Sequence, residues 1–202
     1  MEEKSPSTRE RILDAAIEVF ASKGYHDTRM DDIVEMSHSS KGSIYFHFPS
    51  KEEIFFGIVD KFANLLEKRL LQVLETESSG IERVHRALVV CLDTFGSHQA
   101  LAKILLIQAV GLGQDFEVKR EQIKDRFAAL IQSQIEQAVI EGEIPALDAE
   151  MAAQIWMGAI YDIVMRWVST SQLSPERMLP TLQTMLLRSI GVSDEKIEQI
   201  CR

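Results

Sequence analysis

TRMDDIVEMSHSSKGSIYFHFPSK, residues 28–51, spells out two short helices around a tight turn. The first helix is expected over about Arg29–Met36, with Thr28 or Asp27 as its cap. The turn falls at His38-Ser39, and Ser40 is a favourable N-cap for the second helix. That second helix should end near Phe48, because the residue before Pro49 is pushed out of the α region. It displays small, hydroxyl, cationic and aromatic side chains, a mixture suited to lying against DNA rather than to being buried.

On the N-terminal side, Ser7 and Glu10 form a capping box for a helix over about Thr8–Lys23, and Gly24 is placed to close it. Its apolar face is Ile12, Leu13, Ala16, Ile17 and Phe20 at helical spacing. On the C-terminal side, Ser50 with Glu53 opens a long helix over about Lys51–Glu77, broken by Ser78-Ser79-Gly80. Further helices are expected at about Ile81–Phe95, His98–Val110, Asp115–Glu141, Asp148–Ser169 and Pro175–Ile190, with a short one at Asp194–Cys201. No sustained alternation of apolar and polar residues and no Asn-Gly or Asp-Gly turn occurs, so the fold class is all-α.

The composition, 46% hydrophobic and 26% charged, is that of an ordinary folded chain. No apolar run approaches the roughly 18 residues a membrane span requires, so no membrane partner is expected. The stretch MEEKSPSTRER lacks the apolar segment of a secretory signal. Cys91 and Cys201 give neither a disulfide framework nor zinc spacing, and a reducing cytoplasm is the expected compartment. The formal charge of −9 opposes non-specific nucleic-acid binding, but it is unevenly spread. Residues 1–51 carry seven Lys/Arg against nine Asp/Glu, a net of −2, which leaves −7 for the rest. Between Met36 and Lys51 there is no carboxylate, while Lys41 and Lys51 are cationic and His38 and His47 can be.

The succession TRERILDAAIEVFASKGY, MDDIVEMS and SSKGSIYFHFPSKEEIF, over about residues 8–56, resembles the tetracycline-repressor (TetR) family of bacterial regulators in order, spacing and residue type. The resemblance implies an all-α homodimer with a helix-turn-helix DNA-binding domain over 1–51 and a ligand-binding and dimerisation domain over 52–202. It makes Ile33 and Ile44 the buried positions that lock the two short helices, and Ser40, Lys41, Gly42 and Ser43 the start of the recognition helix. Tyr45, Lys51 and Thr28 are implied phosphate contacts, and His47 is a further DNA-contact candidate. Phe46, where many relatives carry His or Tyr, would touch a thymine methyl or a sugar. Two turn positions depart from the family pattern of Gly followed by an apolar residue: here they are His38 and Ser39. His is among the residues that tolerate positive φ.

For the C-terminal body the resemblance implies an effector pocket. The expected lining is Phe62, Leu66, His85, Leu88, Leu92, Gln108, Phe127, Ile131, Trp156 and Tyr161. An apolar stripe at helical spacing equally describes a core. MAAQIWMGAIYDIVMRWV (151–168) with TLQTMLLRSI (181–190) resembles the two dimerisation helices.

Motifs of catalysis are missing: there is no P-loop, no GxGxxG after a strand and no HExxH, and the five histidines show no metal spacing. No catalytic residue, cofactor or metal is therefore expected. The reading is a ligand-responsive regulator, a repressor by family default, that binds a pseudo-palindromic operator as a homodimer and is released by a small lipophilic effector. The competing reading is an all-α ligand carrier or protein-interaction module, which the acidic charge favours.

Overall fold

The computed structural model describes residues 7–76, 79–104, 106, 113–170 and 175–200, and among them the only regular structure is helical. In chain order the helices are α1 Thr8–Lys23, α2 Met30–Ser37, α3 Lys41–His47, α4 Lys51–Thr76 and α5 Gly80–Ser97. They continue with α6 Gln99–Lys103, α7 Gln114–Ile140, α8 Ala149–Thr170, α9 Pro175–Ser189 and α10 Asp194–Ile200. None of the described helices is long and apolar enough to cross a membrane.

The boundaries follow from local chemistry. Ser7 Oγ accepts from the Glu10 N–H, and Glu10 returns the favour to the Ser7 N–H at 2.7 Å, so the capping box at α1 is complete. Gly24, at φ 83°, closes the other end by donating its N–H to the Phe20 carbonyl. At α2 the expected cap moves by a residue or two. Arg29 holds the N-cap position, and its N–H donates to Asp32 Oδ2 at 2.8 Å. Neither Thr28 nor Asp27 fills that role, because the side chain of Thr28 is turned into the protein.

The chain divides into two compact units. The first comprises α1, α2, α3, the part of α4 up to Asn64, and α6; the second holds the rest of α4 with α5 and α7–α10. The expected boundary at 51/52 thus differs from the structural one. The reason is burial: Ile54, Phe55 and Ile58 of α4 are sealed into the same core as Ile12, Leu13, Ala16 and Phe20 of α1. Phe55 meets Tyr25 edge-on at 5.1 Å and lies 6.2 Å from Phe20, in the tilted arrangements that aromatic rings prefer. Gly57 belongs here by close approach, since a Cβ on it would stand 3.0 Å from both Leu13 Cδ2 and Phe48 Cε1.

In the second unit α7 packs along α8, and α5 packs on both α7 and α9. Its polar links are specific. Arg126 of α7 forks onto Glu67 of α4, while Arg69 of α4 reaches Asp93 at 2.9 Å and Thr94 at 2.8 Å on α5. Trp156, 2% exposed, donates its indole N–H to Ser189 Oγ at 3.0 Å and so ties α8 to α9.

Ile44 has no exposed surface and is the buried side chain of α3. Replacing it with Ala leaves a cavity, and Ile44→Ala is expected to destabilise the first unit by about 2–5 kcal/mol. Denaturant titration followed by hydrogen exchange in α3 measures this; a loss below about 1 kcal/mol would mean that α3 is held by something other than this side chain.

Candidate nucleic-acid interface

The turn between α2 and α3 is made by His38 in the left-handed conformation, φ 51° and ψ 30°, the one non-glycine residue with positive φ among those described. His tolerates that geometry, so the departure from glycine leaves the turn intact. Ser39, in place of an apolar plug, hydrogen-bonds the Ser37 carbonyl at 3.4 Å. Ser40 caps α3 by accepting from the Ser43 N–H at 3.1 Å. Ile33 of α2 and Ile44 of α3 are both completely buried, which fixes the two helices against α1.

With Ile44 buried, helical geometry turns the neighbouring residues outward. Lys41 and Gly42 are exposed, Tyr45 is 42% and Phe46 84% exposed, and Ser43 and His47 are half-buried. Six of the expected DNA-contact residues, counting Lys41, Gly42, Ser43, Tyr45, Phe46 and His47, therefore lie on one short helix, and Ser40 stands at its start. The free N–H groups of that first turn suit a phosphate. An exposed ring of this size is costly in water and gains by covering a sugar or a thymine methyl.

Residues 12–58 match the family model for bacterial regulatory proteins, tetR family. The HTH-type transcriptional regulator SrpR of Pseudomonas putida is 32% identical over 161 residues, covering 78% of this chain and 73% of that protein. The chain belongs to the TetR family. The fatty acid metabolism regulator protein of Bacillus subtilis (strain 168) is 23% identical over 173 residues, 85% of this chain and 89% of that one. Among solved structures, a TetR-family regulator from Syntrophomonas wolfei superposes with a TM-score of 0.81 at 20% identity, covering 93% and 97% of the two chains. FadR from Bacillus subtilis, in complex with stearoyl-CoA, superposes at 0.77 with 22% identity over 90% and 98%. This TetR-family chain is accordingly a transcriptional regulator with an all-α fold and an N-terminal helix-turn-helix.

Two expected phosphate contacts have hydrogen-bond partners within the protein. Thr28 is 2% exposed, its hydroxyl donates to the Gly24 carbonyl at 2.7 Å, and its N–H is directed to Tyr25 O. Both of its donors are thus directed at carbonyls of the α1–α2 turn. Lys51 sends its ammonium inward, onto backbone carbonyls of that same turn. Lys41 carries a partner that sequence reading missed: Asp31 of α2 lies 2.8 Å away, in an exposed ion pair that raises the lysine's pKa. No spacing rule announces a pair ten residues apart across a turn.

The expected effector residues are drawn from both units. Phe62 is buried in the first unit, whereas Leu66, His85, Leu88, Leu92, Phe127, Ile131, Trp156 and Tyr161 belong to the second; Gln108 lies outside the described residues. Leu66, Leu88 and Leu92 are core side chains. Trp156 is committed to Ser189, and His85 Nδ1 lies 2.9 Å from the amide nitrogen of Gln183, a 2%-exposed residue of α9. Both therefore act as links from α8 and α5 to α9. Phe127, Ile131 and Tyr161 are half-buried on α7 and α8, with Lys124 5.6 Å over the Tyr161 ring. Cys91 is half-buried, yet desolvation of its thiol pushes the pKa up to about 12, so it stays protonated and unreactive.

Asp31 holds the ammonium of Lys41, a candidate for a phosphate contact. Asp31→Asn is expected to tighten duplex binding by roughly 1.5–5-fold and to steepen its salt dependence, since an exposed pair is weak and Lys41 becomes free to displace a counterion. Anisotropy titrations over a salt series measure both; unchanged values would place Lys41 away from the backbone.

Proposed function

We propose that this regulator is a repressor that binds a pseudo-palindromic operator as a homodimer, with one α3 in each of two successive major grooves, and that a small lipophilic effector in the second unit releases it. The observation that carries the proposal is the outer face of α3, where Lys41, Ser43, Tyr45 and Phe46 project from a helix anchored by Ile44 and capped by Ser40. Tyr45 serves as a phosphate contact and Phe46 as a base or sugar contact. In a two-fold dimer the two recognition helices would stand about 34–36 Å apart.

The second unit supplies support for the dimer. On α8, Met151 and Ile155 are 57% and 61% exposed, and Gly158 on the same side has nothing within 4 Å of where a Cβ would stand. On α9, Met185 is 66% exposed, and Pro180, Thr181, Thr184, Met185 and Arg188 line a shallow groove of about 330 Å³. Large apolar side chains beside small residues suit a helix-on-helix interface, which would bury more than about 1,000 Å². For the effector, the support is the apolar character of α5, α7 and α8, together with a fold relative that holds stearoyl-CoA.

Release follows from α4, which contributes side chains to both units. An effector that favours a shifted α4 moves the head with it, and a differential affinity worth about 1–3 kcal/mol weakens operator binding 5–150-fold. The competing carrier reading has the net charge of −9 in its favour.

Selection of bound duplexes from a random pool at two salt concentrations tests the reading. An inverted repeat, weakened by salt, is the expected product; an unstructured, weakly held pool would favour the carrier instead. On the selected site, Tyr45→Phe should weaken all sequences alike by about tenfold for each half-site, the weight of a hydrogen bond to a charged acceptor. Phe46→Ala should instead relax preference at one base position by roughly 1–3 kcal/mol. A Tyr45→Phe variant with altered base preference would reverse the two roles. Ile155→Arg should yield monomers in sedimentation, and a variant that remained dimeric would move the interface off α8.

A further inference from the structure

Lys51 Nζ lies 2.6 Å from the carbonyl oxygen of Tyr25, 2.8 Å from that of Thr28 and 3.2 Å from that of His26. An ammonium carries three hydrogens and no acceptor, so this set occupies all of its donors. The Tyr25 ring covers it at 4.4 Å, adding a cation–π contact. Three carbonyls of one turn converge on a single cation that enters from another helix.

We propose that Lys51 is a positioning residue, which latches the α1–α2 turn to the first turn of α4, instead of contacting a DNA phosphate. The proposal rests on the reading of α3 as the DNA-contacting helix. In the turn from Gly24 to Arg29 the Thr28 N–H is directed to Tyr25 O and the Asp32 N–H to Arg29 O, and a backbone carbonyl shielded from water needs such a partner. Thr28 spends its hydroxyl on Gly24 O, and Lys51 satisfies Tyr25, His26 and Thr28 together. Desolvation lowers the lysine's pKa, the direction expected of an ammonium drawn inward.

The latch has a consequence for signalling. Along the chain, helix α3 runs into α4 through Phe48-Pro49-Ser50, and α2 begins at Met30, directly after the latched turn. The helix-turn-helix is therefore held to the start of α4 at both ends, by the chain at one and by Lys51 at the other. A displacement of α4 then carries α2 and α3 together, and the recognition surface keeps its internal geometry as it leaves the groove. The role is particular to lysine. The planar fork of an arginine aims its donors outward and does not converge on three oxygens around one point.

Lys51→Met and Lys51→Arg separate the latch from a phosphate contact, with amide hydrogen exchange on the DNA-free protein and operator affinity over a salt series as the two readouts. The latch predicts that both variants speed exchange at Thr28 and its neighbours about tenfold, the scale of a lost charge-assisted bond. It also predicts that both weaken the operator alike and leave the salt slope unchanged. A direct phosphate contact predicts the reverse: exchange as in the wild type, a slope shallower by about 1.8 in Lys51→Met, roughly 0.9 for each subunit of the dimer, and restoration by Lys51→Arg. That pattern would overturn the proposal. If the wild-type protein selected no duplex, the DNA-contact reading would fall, while exchange at Thr28 would still decide the latch.

Discussion

Helix α4 has to bury side chains in two separate cores, and the rest of the architecture answers to that constraint. Its first half supplies Ile54, Phe55 and Ile58 to the core that also encloses Phe20 and Ile12. Its second half supplies Leu66 and Leu70 to the other unit and is tied there by Glu67 to Arg126 and by Arg69 to Asp93 and Thr94. Each buried aliphatic or aromatic side chain is worth about 1.5–3 kcal/mol, so neither half can change its surroundings without cost. Helix α4 is thus, among the described helices, the one element that the two units share.

An acidic chain that contacts DNA has to solve an electrostatic problem, and here the solution is local. The overall charge of −9 repels a polyanion, yet the face of α3 carries no carboxylate. What cations it has are restrained. Lys41 is paired with Asp31, and Lys51 is turned into the α1–α2 turn. The exposed face consequently offers a helix start, hydroxyls and two aromatic side chains more than free charge. Such a surface gains less from non-specific attraction and more from fit, because phosphate charge neutralisation underlies sequence-independent affinity.

The helices were legible because their signals are local. The Ser7–Glu10 capping box, Gly24, Ser40 and Pro49 mark ends within a residue or two of those found, and the apolar spacing of α1 marks its buried face. The left-handed His38 was legible too, since its place in the turn demanded positive φ. Side-chain roles were less so. Thr28 and Lys51 look like surface donors in sequence, and both are consumed by carbonyls that belong to a turn more than twenty residues away from Lys51. His85 and Trp156 look like pocket residues, and each is spent on a partner in α9, Gln183 and Ser189.

The amino-acid sequence by itself determined the helices, the turn of the helix-turn-helix and the family. Those depend on spacing, caps and residue type over a few neighbouring positions. The tertiary structure decided how far the DNA-contacting unit extends along α4 and which polar side chains remain available at its surface. It also decided which apolar residues of the body are core. These depend on which groups from distant parts of the chain arrive beside one another, and a donor's role is fixed by the acceptor it meets.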